Sequence, residues 1–361
     1  MLIEIGKDII EAAKKENKDA LRTLNYLGMA FRNKKHIVFS EPAQLKEVRN
    51  INLLPLDTRN VFTYILSKYT TVIRPLLSLL QFRAKLVLTG KSQRLPNLLL
   101  MNLNDFKNFE LYEETHLLCE NIFDCKFYRQ IGLHYLMDNN FKEVNLCLFP
   151  LQGGGAASCR VFREEASLKQ HFCLALMDSD KGYPKCKKET DTTFGKVKKE
   201  ADTLKPLNCF CERLQYTREI ENLIPDTYIR IKYHDSELVK ANVDMSYIDI
   251  KNGLSPKLLW FSEAIEYYRK LFANVPNIVS SINKFDQTRQ NLKKEDYYHN
   301  VNNQTIIKGL GEKVTEDFLD DNPDNKISEM RPTTENQRKD WSRMGSLVAQ
   351  WCCAPIIVST L

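Results

Sequence analysis

One apolar stretch that ends at two acidic residues constrains the fold of this chain most. Residues 172–177 read FCLALM, and the next five read DSDKG, with Asp178 and Asp180 as the two acids. An uninterrupted apolar run that stops abruptly at polar residues is typical of a strand buried inside a sheet. The sequence therefore predicts a buried strand that delivers two carboxylates to the edge of a sheet.

Strand and helix patterns alternate on both sides of this strand. Further short apolar runs occupy residues 115–119, 144–151 and 207–214, and helical periodicity occupies residues 124–137, 158–170 and 194–204. This alternation is typical of βαβ units around a parallel sheet, in which ligands bind beyond the carboxyl ends of the strands. We therefore expect the residues that follow the strands to share one edge: Glu120, Gly153, Gly154, Asp178 and Asp180.

The flanking sequence is predicted to be mostly helical. The chain has 361 residues, which corresponds to about two or three domains. The first 21 residues read as a charged amphipathic helix, short strands are expected near residues 29–39 and 85–88, and residues 258–272 form a strong amphipathic helical pattern. The predicted fold is thus α/β, with a central, mainly parallel-sheet domain at 111–226 between mostly helical regions at 1–110 and 227–361.

Composition indicates where such a chain works and excludes some classes. The ten cysteines include no C-x-x-C pair, so neither a paired structural zinc site nor a disulfide framework is expected, and we expect a cytoplasmic protein. No apolar run reaches the roughly 20 residues of a membrane span. The net charge of +6 is compatible with a nucleic-acid partner without requiring one.

The acids at the predicted sheet edge suit a divalent cation. Asp178 and Asp180 are two positions apart, so in an extended chain their side chains would lie on one side. Together with Glu120 they would make an oxygen-rich pocket, for which Mg²⁺ or Mn²⁺ is the expected ion. Glu219 and Glu221, again two positions apart, are candidates for ligands of a second ion.

Four motifs, taken in order, resemble those of a known family. They are LLCEN at 117–121, LQGGG at 151–155, LMDSDKG at 176–182 and EIENLIP at 219–225. Together they resemble a TOPRIM domain, in which a glutamate follows the first strand and a D-x-D motif follows the third. The family includes topoisomerases, bacterial primases and the nucleases of the OLD class, and the resemblance covers residues 112–225.

The resemblance implies a role for each matching residue. Glu120 would be a metal ligand or a general acid–base, and Asp178 and Asp180 would be metal ligands. Glu221 would be the added acid of the nuclease branch, with Glu219 as the second choice. Lys251 would be a downstream lysine that neutralises the charge of the transition state. Gly153, Gly154 and Lys181 would contact the substrate phosphate.

The resemblance also implies a substrate and partners. Residues 85–92 read KLVLTGKS, where Lys85 replaces the first glycine of a P-loop, so the chain is not expected to carry its own ATPase. Its layout resembles the stand-alone TOPRIM effectors of anti-phage systems such as PARIS, which a separate ATPase activates. The leading prediction is a toxic Mg²⁺-dependent nuclease that cleaves DNA or structured RNA such as tRNA. We also expect a homodimer through the helix at 258–272. The basic residues at 181–199 are expected to contact the backbone of the nucleic acid.

Two other interpretations stay open. The first is a catalytically silent TOPRIM-like subunit with a binding or regulatory role. The second is a strand transferase of the topoisomerase or recombinase type, which needs a nucleophilic tyrosine. The chain has fifteen tyrosines, and none lies in a recognisable catalytic context.

Overall fold

A computed structural model describes residues 1–106, 109–187, 192–323, 326 and 331–356. By compactness the chain divides into two units. Unit 1 comprises residues 1–176, 196–212 and 343–361, and unit 2 comprises residues 177–195 and 213–342. The division of the sequence at residues 110 and 226 stays a prediction.

The described residues form the following α-helices: α1 Lys7–Lys14, α2 Lys18–Arg32, α3 Pro42–Arg49, α4 Leu56–Lys68, α5 Arg74–Leu79, α6 Ile122–Asp138, α7 Ser158–Leu168, α8 Thr193–Leu204, α9 Asp226–Lys232, α10 Glu237–Lys240, α11 Ser262–Leu271, α12 Pro276–Gln290, α13 Lys294–Asn300, α14 Val314–Asp321 and α15 Glu335–Cys352. A π-helical turn, Tyr69–Ile73, joins α4 to α5. Among the described residues, none of the helices combines the length and the apolar character that a membrane crossing requires.

The described strands are β1 Leu2–Ile5, β2 Ile37–Phe39, β3 Arg83–Val87, β4 Gln93–Leu95, β5 Leu98–Asn102, β6 Thr115–Cys119, β7 Val144–Leu146, β8 Leu148–Gln152, β9 Cys173–Met177, β10 Cys209–Arg213, β11 Gly253–Leu254, β12 Ile307–Lys308 and β13 Cys353–Pro355. They form two larger sheets, in the orders β2-β1-β3-β5-β4 and β10-β9-β6-β8, and two short pairs, β11-β12 and β13-β7. The chain is therefore a mixed α/β protein.

The predicted parallel sheet is confirmed around β6. Strands β8 and β9 both pair with β6 in parallel, and all five residues of β9 are buried. Full burial explains why the sequence of β9 is uniformly apolar, because a central strand of a parallel sheet has both faces covered. The run at 144–151, predicted as one strand, is divided between β7 and β8, and β7 pairs with β13 instead.

The N-terminal flank contains more sheet than its sequence indicated. The prediction that a helix begins at the first residue is wrong at Leu2–Ile5, which form β1 and pair in parallel with both β2 and β3. Helical periodicity begins only at Lys7. The four residues of β1 are too few for their period to be distinguished from that of the helix that follows.

One face of α15 holds the backbone on both sides of the acidic segment Arg218–Glu221 of unit 2. Gln337, Asp340 and Trp341 lie three and four residues apart, so they project from one side of the helix. Gln337 Nε2 donates to the carbonyl oxygen of Asn222 at 2.9 Å, and Trp341 Nε1 donates to that of Leu223 at 2.8 Å. These side chains hold the segment that follows Glu221.

Asp340 holds the segment that precedes Glu221. This carboxylate is fully buried. It accepts the backbone N–H groups of Gln215, Tyr216 and Thr217 and the hydroxyl of Thr217, at 2.8 to 3.3 Å. Successive N–H groups that point to one acceptor form an anion-binding concavity, here filled by the chain's own carboxylate.

Replacement of Asp340 by alanine is expected to lower the free energy of unfolding by about 2–4 kcal/mol, because three N–H groups and the Thr217 hydroxyl, of which the Thr217 donors are buried, lose their acceptor. Thermal and urea unfolding of the full chain measure the loss. The matched control is Glu335→Gln on the same helix, whose exposed carboxylate pairs only with Lys339, and its effect should stay within about 0.5 kcal/mol. Equal midpoints for both variants would contradict the anchoring role of Asp340.

Candidate metal centre

Three carboxylates of unit 2 converge. Asp178, Glu219 and Glu221 each offer an oxygen atom, and these three atoms lie within 4.8 Å of one another. Glu219 is 6% exposed and Glu221 is 4% exposed, whereas Asp178 is half-buried. Carboxylates this close and this buried repel one another unless positive charge or hydrogen-bond donors compensate them.

Asp178 is held against the chain segment that carries the two glutamates. Its Oδ1 accepts the backbone N–H of Ile220 at 2.9 Å. The N–H groups of Ser179 and Asp180 both donate to the carbonyl oxygen of Arg218, at 2.9 and 3.0 Å. The residues that follow β9 are therefore fixed directly beside the start of the EIEN motif.

Glu219 caps the 3₁₀ helix Ile220–Leu223 and faces the site. Its Oε1 accepts the N–H of Ile250 at 2.9 Å, and its Oε2 lies 3.7 Å from Arg218 Nε. Burial, and then the charge of Glu221, raise the pKa of Glu219 to about 8, although Arg218 opposes this shift.

Glu221 provides the most distinctive atom of the group. Its Oε1 accepts the hydroxyl of Thr315 at 2.8 Å and lies 3.3 Å from Lys251 Nζ. Its Oε2 is buried and has no hydrogen-bond partner among the described residues. A buried carboxylate oxygen without a donor is costly, and it is satisfied when a cation binds there.

Lys251, the predicted downstream lysine, lies beside the carboxylates and forms a direct ion pair with Glu221. Burial lowers the pKa of Lys251, but the charges of Glu221, Glu219 and Asp178 outweigh burial and hold that pKa above its ordinary value. Lys251 therefore stays protonated at neutral pH.

Asp180 lies outside the group of three. The argument that Asp178 and Asp180 share one side assumed an extended chain, but β9 ends at Met177 and Asp180 has φ +54°. Burial lowers the pKa of Arg218, but the charges of Glu219 and Asp249, with a smaller contribution from Asp180, hold that pKa above its ordinary value. Lys181 Nζ donates to the carbonyl oxygen of Gln215 at 3.2 Å. The ligand role of Asp180 and the phosphate role of Lys181 stay predictions.

Glu120 and the predicted glycines lie together in unit 1. The carbonyl oxygens of Cys119 and Glu120 accept the N–H groups of Gly153 and Gly154, at 2.7 and 2.9 Å. A Cβ atom at Gly153 would lie 2.1 Å from Ser158 Oγ, and Gly154 has φ +69°. Because both N–H groups are already used, any phosphate contact at the glycines would rest on close approach rather than on N–H donation. The roles of Glu120, Gly153 and Gly154 stay predictions.

Sequence reasoning missed two residues that compensate the carboxylates. Arg218 precedes Glu219 directly, so its charge in the TREIEN segment was a usable signal. Thr315 lies 94 residues from Glu221 in sequence, and no motif marks it. Only the tertiary structure brings that hydroxyl to the site.

A scan against protein-family models found no match, and comparisons with curated proteins and with solved structures found no significant similarity.

Replacement of Lys251 by methionine is expected to lower the free energy of unfolding by about 1–3 kcal/mol when no divalent ion is present, because the buried carboxylates lose their closest cation. The double variant Lys251→Met with Glu221→Gln should lose less free energy of unfolding than the sum of the losses of the two single variants. The reason is that Glu221→Gln also removes part of the repulsion among the carboxylates. Unfolding in EDTA measures both. Lys257→Met, at an exposed lysine of the same unit, is the control, and strict additivity would contradict the coupling.

Proposed function

We propose that this chain is a metal-dependent phosphodiester hydrolase that acts on nucleic acid, with its catalytic centre at Asp178, Glu219 and Glu221. The observation that carries the proposal is the convergence of these carboxylates, together with a buried oxygen atom of Glu221 that has no donor among the described residues. The order of the four motifs, which resembles a TOPRIM nuclease, supports it independently.

The residues present fit a hard divalent cation. All three donors are carboxylate oxygens, which favour Mg²⁺ or Mn²⁺ over softer metals. One oxygen of each carboxylate is already oriented by a donor of the chain, namely the N–H of Ile220, the N–H of Ile250 or the hydroxyl of Thr315. Such fixed second partners orient ligands and hold them for the ion.

The chain's own residues would position the substrate and stabilise charge. A bound divalent ion supplies Lewis-acid polarisation of the phosphodiester and a water molecule of lowered pKa. Lys251, 3.3 Å from Glu221, would place a permanent positive charge beside the phosphate oxygens, where negative charge increases in the transition state. Arg218 would remain structural, because Glu219 and Asp249 both pair with it.

Other parts of the proposal rest on the resemblance alone. They are the choice between DNA and structured RNA, the activating ATPase, the antiviral and toxic role and the homodimer, whereas the proposed cytoplasmic location rests on the cysteine pattern. Glu120 and Asp180 as further ligands of the ion rest on the resemblance and on their place after predicted strands.

The competing proposal is a catalytically silent binding subunit. It is favoured by the compensation already present, since Lys251, Arg218 and Thr315 partly balance the carboxylates without an ion. A cleavage assay separates the two proposals.

Mg²⁺-dependent cleavage of DNA or RNA is expected to fall at least about 100-fold in Asp178→Asn and in Glu221→Gln, because each change removes a ligand charge. The assay uses the full chain, plasmid DNA and total tRNA, with Mg²⁺, Mn²⁺ or EDTA, alone and with candidate ATPase partners. Calorimetric titration of Mn²⁺ reports whether the ion binds.

Asp320→Asn is the control, because Asp320 is an exposed carboxylate of unit 2 and its removal should leave cleavage unchanged. Cleavage that persists in EDTA or in both site variants would contradict the proposal. Mn²⁺ binding that depends on Asp178, without cleavage of any nucleic acid under any of these conditions, would favour the silent subunit.

A further inference from the structure

Unit 1 contains a second cluster of potential metal ligands, of different chemistry. It comprises His116 on β6, Glu165 on α7 and His171 immediately before β9, and one ligand atom of each lies within 4.8 Å of the others. The side chains are 13%, 15% and 18% exposed, respectively. A small ion in solution can therefore reach the cluster, although most of each side chain is covered.

Glu165 lies between the two imidazoles. His116 Nδ1 is 3.0 Å from Glu165 Oε2, and His171 Nδ1 is 4.0 Å from the same oxygen. The imidazole rings stack, with centroids 4.1 Å apart. Tetrahedral ligands with bonds of about 2.0–2.2 Å lie about 3.3–3.5 Å from one another, so binding requires side-chain shifts of about 1 Å and rotation of the stacked rings, because the ion must lie near the plane of each imidazole.

A fourth residue sets the tautomer of one imidazole. Glu110 Oε2 lies 3.1 Å from His171 Nε2, so the ring proton is held on Nε2 and the lone pair of Nδ1 is directed toward Glu165. Histidines that bind metals almost always donate their other ring N–H to a carboxylate or a carbonyl in this way. Glu110 would therefore position His171 without binding the ion itself.

The backbone fixes the relative positions of these residues before any ion binds. The side-chain amide of Asn208, which is fully buried, donates to the carbonyl oxygens of Glu165 and His171, at 3.1 and 2.9 Å. His116 N donates to the carbonyl oxygen of Phe172 at 2.8 Å. The ligand-bearing positions are thus tied to one another independently of the side chains that would bind the ion.

We propose that His116 Nδ1, His171 Nδ1 and Glu165 Oε2 bind a transition-metal ion, with Zn²⁺ as the first choice, and that Glu110 positions His171. Two imidazole nitrogens and one carboxylate oxygen suit zinc and related ions rather than Mg²⁺. When an ion binds Nδ1 of a neutral His116, the ring proton moves to Nε2, and the contact between Nδ1 and Glu165 is replaced by a bond from each residue to the ion. Three protein ligands leave a fourth coordination position for water or for a small ligand. The inference does not rest on the proposed nuclease activity, because it involves only residues of unit 1.

The test is zinc binding by the full chain, measured by calorimetric titration and by metal content after dialysis. Wild-type protein is expected to bind Zn²⁺ at this site, and His116→Gln, His171→Gln and Glu165→Gln should each lose one equivalent. Glu110→Gln should keep the stoichiometry and weaken affinity by about 10–100-fold. Three independent ligand variants keep the test decisive if one of them fails to fold, which circular dichroism detects.

Two controls separate this site from others. His134→Gln removes a different histidine–carboxylate pair of unit 1, His134 with Asp138 at 3.2 Å, and should leave zinc binding unchanged. Co²⁺ bound at the site should give the absorption of a nitrogen and oxygen ligand set. No zinc binding by wild-type protein, equal stoichiometry in all ligand variants, or a thiolate-to-cobalt band from the ten cysteines as the only signal would overturn the proposal.

Discussion

The acidic site depends on a buried carboxylate that is not itself part of it. Asp340 accepts three consecutive backbone N–H groups, at 215–217, and so fixes the direction in which the chain enters the Arg218–Glu221 segment. Gln337 and Trp341, from the same face of α15, hold the carbonyl groups on the other side of that segment. Without these contacts, the charge of its two inward-pointing acidic side chains would favour exposure of this segment to solvent. Buried carboxylates are tolerated only where hydrogen bonds or opposite charges satisfy them.

Within the site, hydrogen-bond donors and cations balance the carboxylates incompletely. Ile250, Thr315 and Lys251 satisfy one side of the glutamates, while the second oxygen of Glu221 has no donor among the described residues. Burial and the adjacent charge together raise the pKa of Glu219 to about 8, which is the expected response where carboxylates share a poorly solvated space. The proposed hard divalent ion would relieve the same imbalance. The imidazole cluster of unit 1 differs in kind, since neutral ring nitrogens favour a softer ion.

Much of the central sheet could be predicted from sequence, because its buried strands are rich in apolar residues. Strand β6 has the predicted bounds, and β9 begins one residue later than predicted. Strand β1 could not be recognised, since a four-residue segment with three apolar residues, just before a helix, has no distinct period. Of the acids proposed as ligands, Asp178, Glu219 and Glu221 lie together, while Asp180 lies outside the group because its backbone turns into the left-handed region.

The sequence by itself determined that an apolar strand ends at a carboxylate and that two further acids alternate with apolar residues a short distance downstream. Periodicity and burial carry that information, because both depend on near neighbours in the chain. Only the tertiary structure decided which acids meet and what compensates them. Thr315 and Lys251 reach Glu221 from positions 94 and 30 residues away, and Asp340 binds Thr217 across 123 residues. Contacts over such separations leave no local pattern, since they depend on how whole helices pack.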